Sequence, residues 1–198
     1  MSQILIGGNF RGGTSMLARI VEAAGVPFPG PFHTEKNREN REWQLVLHPA
    51  HTSGRANLRS IKKLADKFDA RFAGHWAMKY PAVHVFAYND PDFLQQFTDP
   101  LMLLIARRPA DVYASEVRNG YRGKKFPILH RAKHYNYLTR ELYHDQPCPV
   151  FTANYGDFLG DPVRACRKVS EFIGQGDPVE MAKLIDLGGG RSSESVYI

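Results

Sequence analysis

The sequence has little cysteine and no long apolar run, and both absences restrict the class of protein. Only two cysteines, Cys148 and Cys166, occur among 198 residues, and they lack the paired spacing of a metal site. Such sparse cysteine is typical of a reducing compartment and predicts no disulfide. The amino terminus is apolar only over residues 4–6, so we expect neither a signal peptide nor a membrane span. The sequence therefore favours a cytoplasmic protein without a membrane partner.

The sequence also lacks a concentrated run of one charge sign. Its formal net charge is +6, but the basic residues are scattered and no aromatic and basic run resembles a nucleic-acid recognition surface. We therefore expect no nucleic-acid partner, and we interpret the excess as a solvated face or as a match for a small anionic ligand. Without internal repeats, the length predicts a single domain over residues 1–198, with a flexible tail at about 188–198.

The stretch that organises the chain is residues 4–17, ILIGGNFRGGTSML. Its apolar start predicts a buried strand, its glycines a tight loop, and the residues from Thr14 onward a helix with one apolar face. The amides at that helix N-terminus favour an anion; they belong to Gly12, Gly13, Thr14 and Ser15. The alternative is a glycine-rich turn without a ligand, but a position directly after the first strand favours phosphate binding.

This loop lacks the lysine of a nucleoside-triphosphate site. Gly8, Gly13 and Ser15 fit the spacing of a phosphate loop, but Thr14 stands where that pattern has lysine. The lysine normally reaches the β- and γ-phosphates, so its absence indicates a shorter phosphate group. Arg11, inside the loop, can supply the missing cation.

Predicted strands alternate with predicted helices along the rest of the chain. The apolar run at 101–106 is typical of a strand buried on both faces, and residues 75–79 and 150–153 form shorter candidates. Apolar periodicity and capping residues predict helices around Trp43 and over 58–72, 109 onward, 127–145, 162–173 and about 178–187. The alternation predicts a three-layer α/β/α domain of the P-loop nucleotide-hydrolase-like class, with a central, mainly parallel sheet. Its ligand is expected at the carboxyl ends of the strands, near the glycine loop, Lys79 and Arg107.

Three segments resemble motifs of the sulfotransferases that use 3′-phosphoadenosine 5′-phosphosulfate (PAPS). FRGGTS at 10–15 resembles the 5′-phosphosulfate loop, from which Phe10 and Gly12 depart. RRPADVYAS at 107–115 resembles the 3′-phosphate motif, in which an arginine is followed eight residues later by a serine. NYGDFLGDP at 154–162 resembles a later Tyr-Glu-Asp-Leu segment that ends in proline. The three motifs occur in the family's order, so the resemblance covers most of the chain.

This resemblance implies a donor site for PAPS, with adenosine 3′,5′-bisphosphate (PAP) as the product and no metal. The 5′-phosphosulfate is expected at residues of the loop, namely Arg11, Gly12, Gly13, Thr14 and Ser15. Arg107 and Ser115 would hold the 3′-phosphate, and Tyr155 would lie against the adenine. Arg191, in a late glycine-rich run, is the candidate for a further cation on the 3′-phosphate, and the alternative for it is a disordered terminus.

The resemblance also suggests the catalytic residues. Lys79 corresponds to a lysine near the transferring sulfuryl group, where it would stabilise charge on the bridging oxygen; otherwise it is a surface lysine at a strand end. The acids of the segment after the first helix are Glu35, Glu39 and Glu42, and among them we favour Glu35 as the general base, followed by Glu42. His84 is a further candidate, because one branch of the family has a histidine just after the lysine, where Pro81 stands here.

The sequence therefore predicts a sulfotransferase that moves a sulfuryl group from PAPS to a hydroxyl or amine of a small-molecule or glycan acceptor. One alternative is a P-loop kinase-like phosphoryl transferase, which would bind ATP with magnesium. The other is a non-catalytic nucleotide- or glycan-binding module that keeps the anion sites. Residues 26–55 and 121–126 are expected to form the acceptor wall, and no pattern indicates an oligomeric state.

Overall fold

A four-stranded parallel sheet forms the centre of the protein. The computed structural model describes residues 2–32, 38–53, 57–120, 124–145 and 148–186. The strands are β1 (Gln3–Gly8), β2 (Trp76–Lys79), β3 (Pro100–Ala106) and β4 (Val150–Asn154). Their order is β2-β1-β3-β4, and every pairing is parallel. The predicted parallel sheet is thus confirmed.

The helices follow the strands in the expected alternation. Those in the described ranges are α1 (Thr14–Ala23), α2 (Arg41–Ser53), α3 (Leu58–Phe72), α4 (Val83–Asn89), α5 (Pro109–Arg118), α6 (Lys125–Asp145), α7 (Tyr155–Gly160), α8 (Pro162–Ile173) and α9 (Pro178–Asp186). The predicted helices are present. Two short helices, α4 and α7, were not predicted, because six or seven residues are too few for a helical period to stand out.

Alternate residues of each strand face two separate cores, as expected for a sheet buried on both sides. Leu5, Met102 and Leu104 pack with α2, α3, α4 and α6 on one face. Ile6 and Ile105 pack with α1, α8 and α9 on the other. The predicted three-layer α/β/α architecture is therefore confirmed.

The order of the strands brings the expected site residues to one edge of the sheet. Ile6 of β1 is in register with Lys79 at the end of β2, and Gly8 is in register with Ile105 near the end of β3. The chain passes from β1 outward to β2 and then back across to β3, so a topological switch point lies between β1 and β3. Ligands of open α/β sheets bind outside the carboxyl ends at such a point.

Both cysteines are buried and free. Burial raises the pKa of the Cys148 and Cys166 thiols to about 11, because a thiolate is disfavoured away from water.

No helix among the described residues is both long and apolar enough to cross a membrane.

The opposite, amino-terminal edge of the sheet is joined by Asp69 of α3. Its Oδ1 accepts hydrogen bonds from Trp76 Nε1 at 2.8 Å and from Gln3 Nε2 at 2.5 Å, and its Oδ2 accepts from Thr98 Oγ1 at 3.2 Å. Trp76 and Gln3 are buried, so their donors depend on this carboxylate. Asp69 therefore ties α3 to β1 and β2.

His84 of α4 is a buried polar residue beneath the other edge. Its side chain is fully buried and meets the ring of Tyr135 edge to face, with centroids 4.9 Å apart. Burial lowers the pKa of His84 to about 3, because the imidazolium form cannot be hydrated there. His84 is thus a neutral residue of the core at physiological pH.

We expect Asp69→Ala to lower the free energy of unfolding by about 2–4 kcal/mol, since two buried donors lose their acceptor. Urea unfolding of the variant measures this loss. The control is Asp66→Ala, which removes an exposed pair with Lys62 and should cost no more than about 0.5 kcal/mol. Equal losses in the two variants would contradict the role given to Asp69.

We expect His84 to make the protein less stable as the pH falls from about 6.5 towards 3. In this window the unfolded state, with an ordinary histidine pKa, binds a proton that the folded state does not, so acid favours unfolding by about 1.4 kcal/mol per pH unit. Urea unfolding at pH 6 and pH 4 should show a smaller change in His84→Gln and His84→Leu than in the wild type. His130→Gln, an exposed control, should keep the wild-type slope, and a His84 variant that kept it too would show that another group is responsible.

Candidate functional site

The glycine-rich loop, residues 8–13, links β1 to α1 through left-handed backbone. Arg11 has φ of 58° and Gly13 has φ of 104°, and the amide of Gly12 donates to the carbonyl of Asn9 at 2.8 Å. The first bond within α1 runs from the amide of Leu17 to the carbonyl of Gly13. The preceding amides therefore lie at the open N-terminus of the helix, where the helix dipole favours an anion.

Two of the loop's glycines have no room for a side chain. A Cβ on Gly13 would lie 2.5 Å from Cδ2 of Tyr155, and a Cβ on Gly12 would lie 2.7 Å from the carbonyl oxygen of Asn9. The loop is thus packed against Tyr155, at the start of α7, and against itself. The side chain of Thr14 is buried, so its amide is the group that it offers to a ligand.

Lys79, at the carboxyl end of β2, reaches the same loop. Its Nζ donates to Ser15 Oγ at 2.9 Å and pairs with Glu39 Oε1 at 2.8 Å, and its side chain is only 2% exposed. Burial lowers the pKa of Lys79, Glu39 opposes that shift, and the charge of Arg11 adds to it. The ammonium group therefore lies between Ser15 and Glu39, and Lys79 is not a surface lysine.

Glu39 is held in place by the chain on both sides of it. Its Oε2 accepts from Gln44 Nε2 at 2.6 Å, which leaves Oε1 on Lys79. The next residue, Asn40, donates to the carbonyl of Pro29 at 2.6 Å and accepts from the amide of Trp43 at 3.0 Å. These bonds fix the entry into α2 and turn the Glu39 carboxylate towards the glycine-rich loop.

Of the two acids that the sequence favoured as the base, only Glu42 lies among the described residues, and it is not the acid that pairs with Lys79. Glu35 lies outside the described residues. Glu42 is in the first turn of α2, where its Oε2 pairs with Lys67 Nζ of α3 at 2.5 Å. Glu42 comes three residues after Glu39, inside α2, and faces Lys67 of α3. The structure therefore brings Glu39, and not Glu42, to Lys79. His84, the third candidate, is enclosed in the core and cannot reach an acceptor.

Arg107, directly after β3, connects the glycine-rich loop to Tyr155. Its Nη1 donates to the carbonyl of Arg11 at 3.0 Å, and its guanidinium carbon lies 4.1 Å from the centre of the Tyr155 ring. Burial lowers the pKa of Arg107, and the charge of Arg118 contributes to the same shift. The loop, the arginine and the aromatic ring form one continuous surface, as expected for neighbouring parts of a nucleotide site.

Asn9 and Asn136 join this surface to α6. Asn9 Nδ2 donates to Asn136 Oδ1 at 2.9 Å, and Asn136 Nδ2 donates to the carbonyl of Arg107 at 2.9 Å. The sequence analysis missed this pair. The available signal was a polar residue at 136 on the apolar stripe of the predicted helix, one turn after Ala132.

A cavity of about 740 Å³ opens beside Arg107, at the carboxyl ends of β3 and β4. Helices α5 and α6 and the start of α7 form its other walls. Ser115 is half-buried on α5, but the residues of this helix that line the cavity are Pro109, Asp111, Ala114 and Arg118, so the structure does not bring Ser115 into the cavity lining. Arg191 lies outside the described residues. Within the described ranges, no group of three or more His, Cys, Asp or Glu side chains could hold a metal ion.

No protein-family model matches the sequence, and no curated protein sequence matches it. Solved structures do match. A mouse sulfotransferase complexed with PAP has a TM-score of 0.58 at 15% identity, over 100% of this chain and 67% of the other. The sulfotransferase domain of the curacin biosynthetic pathway has a TM-score of 0.58 at 13% identity, over 96% of this chain and 81% of the domain.

A third similar structure is a retinol dehydratase in complex with androsterone and the inactive cofactor PAP. It has a TM-score of 0.55 at 16% identity, over 93% of this chain. The present chain spans 63% of the length of that enzyme. At such low identity the likeness concerns the arrangement of the helices and strands. The chain has the α/β fold of the PAPS-dependent sulfotransferases.

Proposed function

We propose that this protein is a sulfotransferase that moves a sulfuryl group from PAPS to a hydroxyl or amine acceptor. The observation that carries the proposal is the buried Lys79, which bonds both Ser15 of α1 and Glu39. A cation, a helix N-terminus and a carboxylate thus meet at one point, beside a second cationic element at Arg107. The likeness to structures that contain PAP supports the same donor class.

The residues at the carboxyl edge fit a ligand that carries two anionic groups. The amides of residues 13–15, Arg11 and Lys79 suit the 5′-phosphosulfate, since several donors and two cations converge on one small region. Arg107 suits the 3′-phosphate, and Tyr155 offers an aromatic face beside both. The glycines let the loop pack closely against Asn9 and Tyr155, because a Cβ on Gly12 or Gly13 would clash with these neighbours.

In this proposal, Lys79 stabilises the negative charge that forms on the leaving phosphate oxygen. Sulfuryl transfer breaks the bond between sulfur and the phosphate oxygen of the donor, and it forms a bond between sulfur and the acceptor oxygen or nitrogen. Negative charge then develops on the phosphate oxygen of PAP, and a buried ammonium beside it stabilises that charge more strongly than one in water would. The charge of Glu39 opposes the effect of burial on the pKa of Lys79 and so favours the ammonium form.

Glu39 is the general base in this proposal. Its carboxylate lies beside Lys79, it is only 17% exposed, and Gln44 orients it. A carboxylate in that position can take the proton that the acceptor loses as it attacks sulfur. Glu35 stays a prediction for this role, and the pairing of Glu42 with Lys67 on α3 makes Glu42 the natural control.

The acceptor is a small molecule or a glycan in this proposal. Because Glu39 lies beside Lys79, the described residues around it form part of the acceptor wall in this proposal. Androsterone in the retinol dehydratase structure supports a small organic acceptor. A cytoplasmic location, which the sparse cysteine favours, stays a prediction.

The donor site can be tested by isothermal titration calorimetry with PAP. We expect the wild type to bind PAP without magnesium and Arg107→Ala to bind about 10- to 100-fold more weakly, because a charge-assisted contact to a phosphate is lost. The control is Arg71→Ala, an exposed arginine of α3 that precedes β2 at the opposite edge of the sheet. It should bind PAP as the wild type does. No binding of PAP by the wild type, or magnesium-dependent preference for ATP, would overturn the proposal.

The role of Glu39 can be tested by PAP release from PAPS with a panel of phenolic, steroid and glycan acceptors. We expect Glu39→Gln to lower turnover by about 10²- to 10⁴-fold, as for loss of a general base, while PAP affinity changes only a few-fold. The residual activity of the variant should also lose the acidic limb of the pH–rate profile, which a merely structural role would leave unchanged. Glu42→Gln should stay close to the wild type, and an equal loss in that variant would contradict the assignment of Glu39.

A further inference from the structure

The cavity next to Arg107 is strongly cationic. Its lining includes four arginines, which are Arg107, Arg108, Arg118 and Arg140, and one carboxylate, Asp111. The carboxylate already pairs with Arg108 through two contacts, at 2.8 and 3.2 Å. Three guanidinium groups therefore share one concave surface, on which the described residues supply no further acid.

Positive charges in a concave, partly desolvated site repel one another, and a bound anion relieves that repulsion. Burial lowers the pKa of Arg107, Tyr155 and Asp111 oppose that shift, and the nearby charge of Arg118 adds to it. Arg118 on α5 and Arg140 on α6 are both exposed and both line the open cavity. Their charges, together with that of Arg107, suit a ligand with more than one negative charge.

The cavity lies beside the glycine-rich loop, and this position indicates the kind of anion that it suits. Arg107 lines the cavity and also bonds the carbonyl of Arg11, and Tyr155 lines the cavity and packs against Gly13. An anion in the cavity is therefore adjacent to whatever the glycine-rich loop holds. A nucleotide with phosphates on both its 5′ and 3′ positions can occupy both places at once.

We infer that Arg118 and Arg140 bind the 3′-phosphate of the donor nucleotide together with Arg107, and that they make the site selective for 3′-phosphorylated nucleotides. This inference rests on the proposed function. It assigns the additional cations to α5 and α6, whereas the sequence analysis expected one from the late glycine-rich run at Arg191. Thr139 and Asn154 also line the cavity and offer neutral hydrogen-bonding groups beside the arginines.

Calorimetry with two probes separates this role from general electrostatic attraction. The probes are PAP and adenosine 5′-monophosphate, which differ by the 3′-phosphate. We expect Arg118→Gln and Arg140→Gln each to weaken PAP binding about tenfold, and the double variant to weaken it by about 50-fold or more. Binding of adenosine 5′-monophosphate should change by less than about twofold in all three, since no 3′-phosphate is present.

Controls keep the result independent of folding and of net charge. Arg71→Gln removes one positive charge at the far edge of the sheet and should leave the affinity for both probes as in the wild type. Arg118→Lys and Arg140→Lys keep the charge and should retain more PAP affinity than the glutamine variants do. Thermal unfolding followed by circular dichroism should show that all variants are folded, because both arginines are exposed side chains on helices.

The outcomes distinguish this inference from the proposed function. If the wild type binds PAP more tightly than adenosine 5′-monophosphate and the double variant keeps that preference, the inference is wrong and the proposed function stands. A parallel loss of affinity for both probes would also overturn it, because the arginines would then act only through net charge. If the wild type binds neither probe, the proposed function fails and the inference fails with it.

Discussion

The parallel pairing of β1 with β3 is the constraint on which the candidate site depends. Gly8 lies opposite Ile105, and a Cβ on Gly8 would come within 2.4 Å of the Ile105 carbonyl oxygen. Because Gly8 has no side chain, the two backbones can approach closely at this point. The loop after β1 and Arg107 after β3 are therefore adjacent. Arg107 can then bond the carbonyl of Arg11 while it stacks on Tyr155. The glycine-rich loop and Arg107, which are 96 positions apart in sequence, thus become one surface.

The same edge of the sheet supplies a cation to a loop that lacks the lysine of the phosphate-loop pattern. Thr14 occupies the lysine position, but Lys79 reaches Ser15 from the neighbouring strand, 64 residues further along the chain. An ammonium group that is 2% exposed would be costly without partners, and Glu39 and Ser15 supply them. At the opposite edge, Asp69 satisfies the buried donors of Trp76 and Gln3. The amino-terminal edge thus contributes to the stability of the fold, while the carboxyl edge carries an excess of positive charge.

Local patterns in the sequence were sufficient for most of the fold. Each predicted strand or helix depends on apolar periodicity, glycine or proline within about twenty residues, and those signals are independent of the rest of the chain. The alternation of strands and helices then restricts the topology to a parallel sheet with helices on both faces. Because parallel strands end at the same edge, the positions of Lys79 and Arg107 after apolar runs also predicted that they would lie near the glycine-rich loop.

What only the tertiary structure decided is which side chains meet at that edge. Glu35, Glu39 and Glu42 are close together in a polar segment, and nothing local distinguishes them. Glu39 pairs with Lys79 of β2, a contact between a loop and a distant strand, while Asn40 bonds Pro29 and caps the entry into α2. The contact of Asn9 with Asn136 spans 127 positions, and the cavity brings Arg118 and Arg140 from two helices to Arg107. The sequence by itself determined the elements and the edge at which they end, because those follow from short-range periodicity. The partners of the buried charges depend on long-range contacts, which only the folded chain brings together.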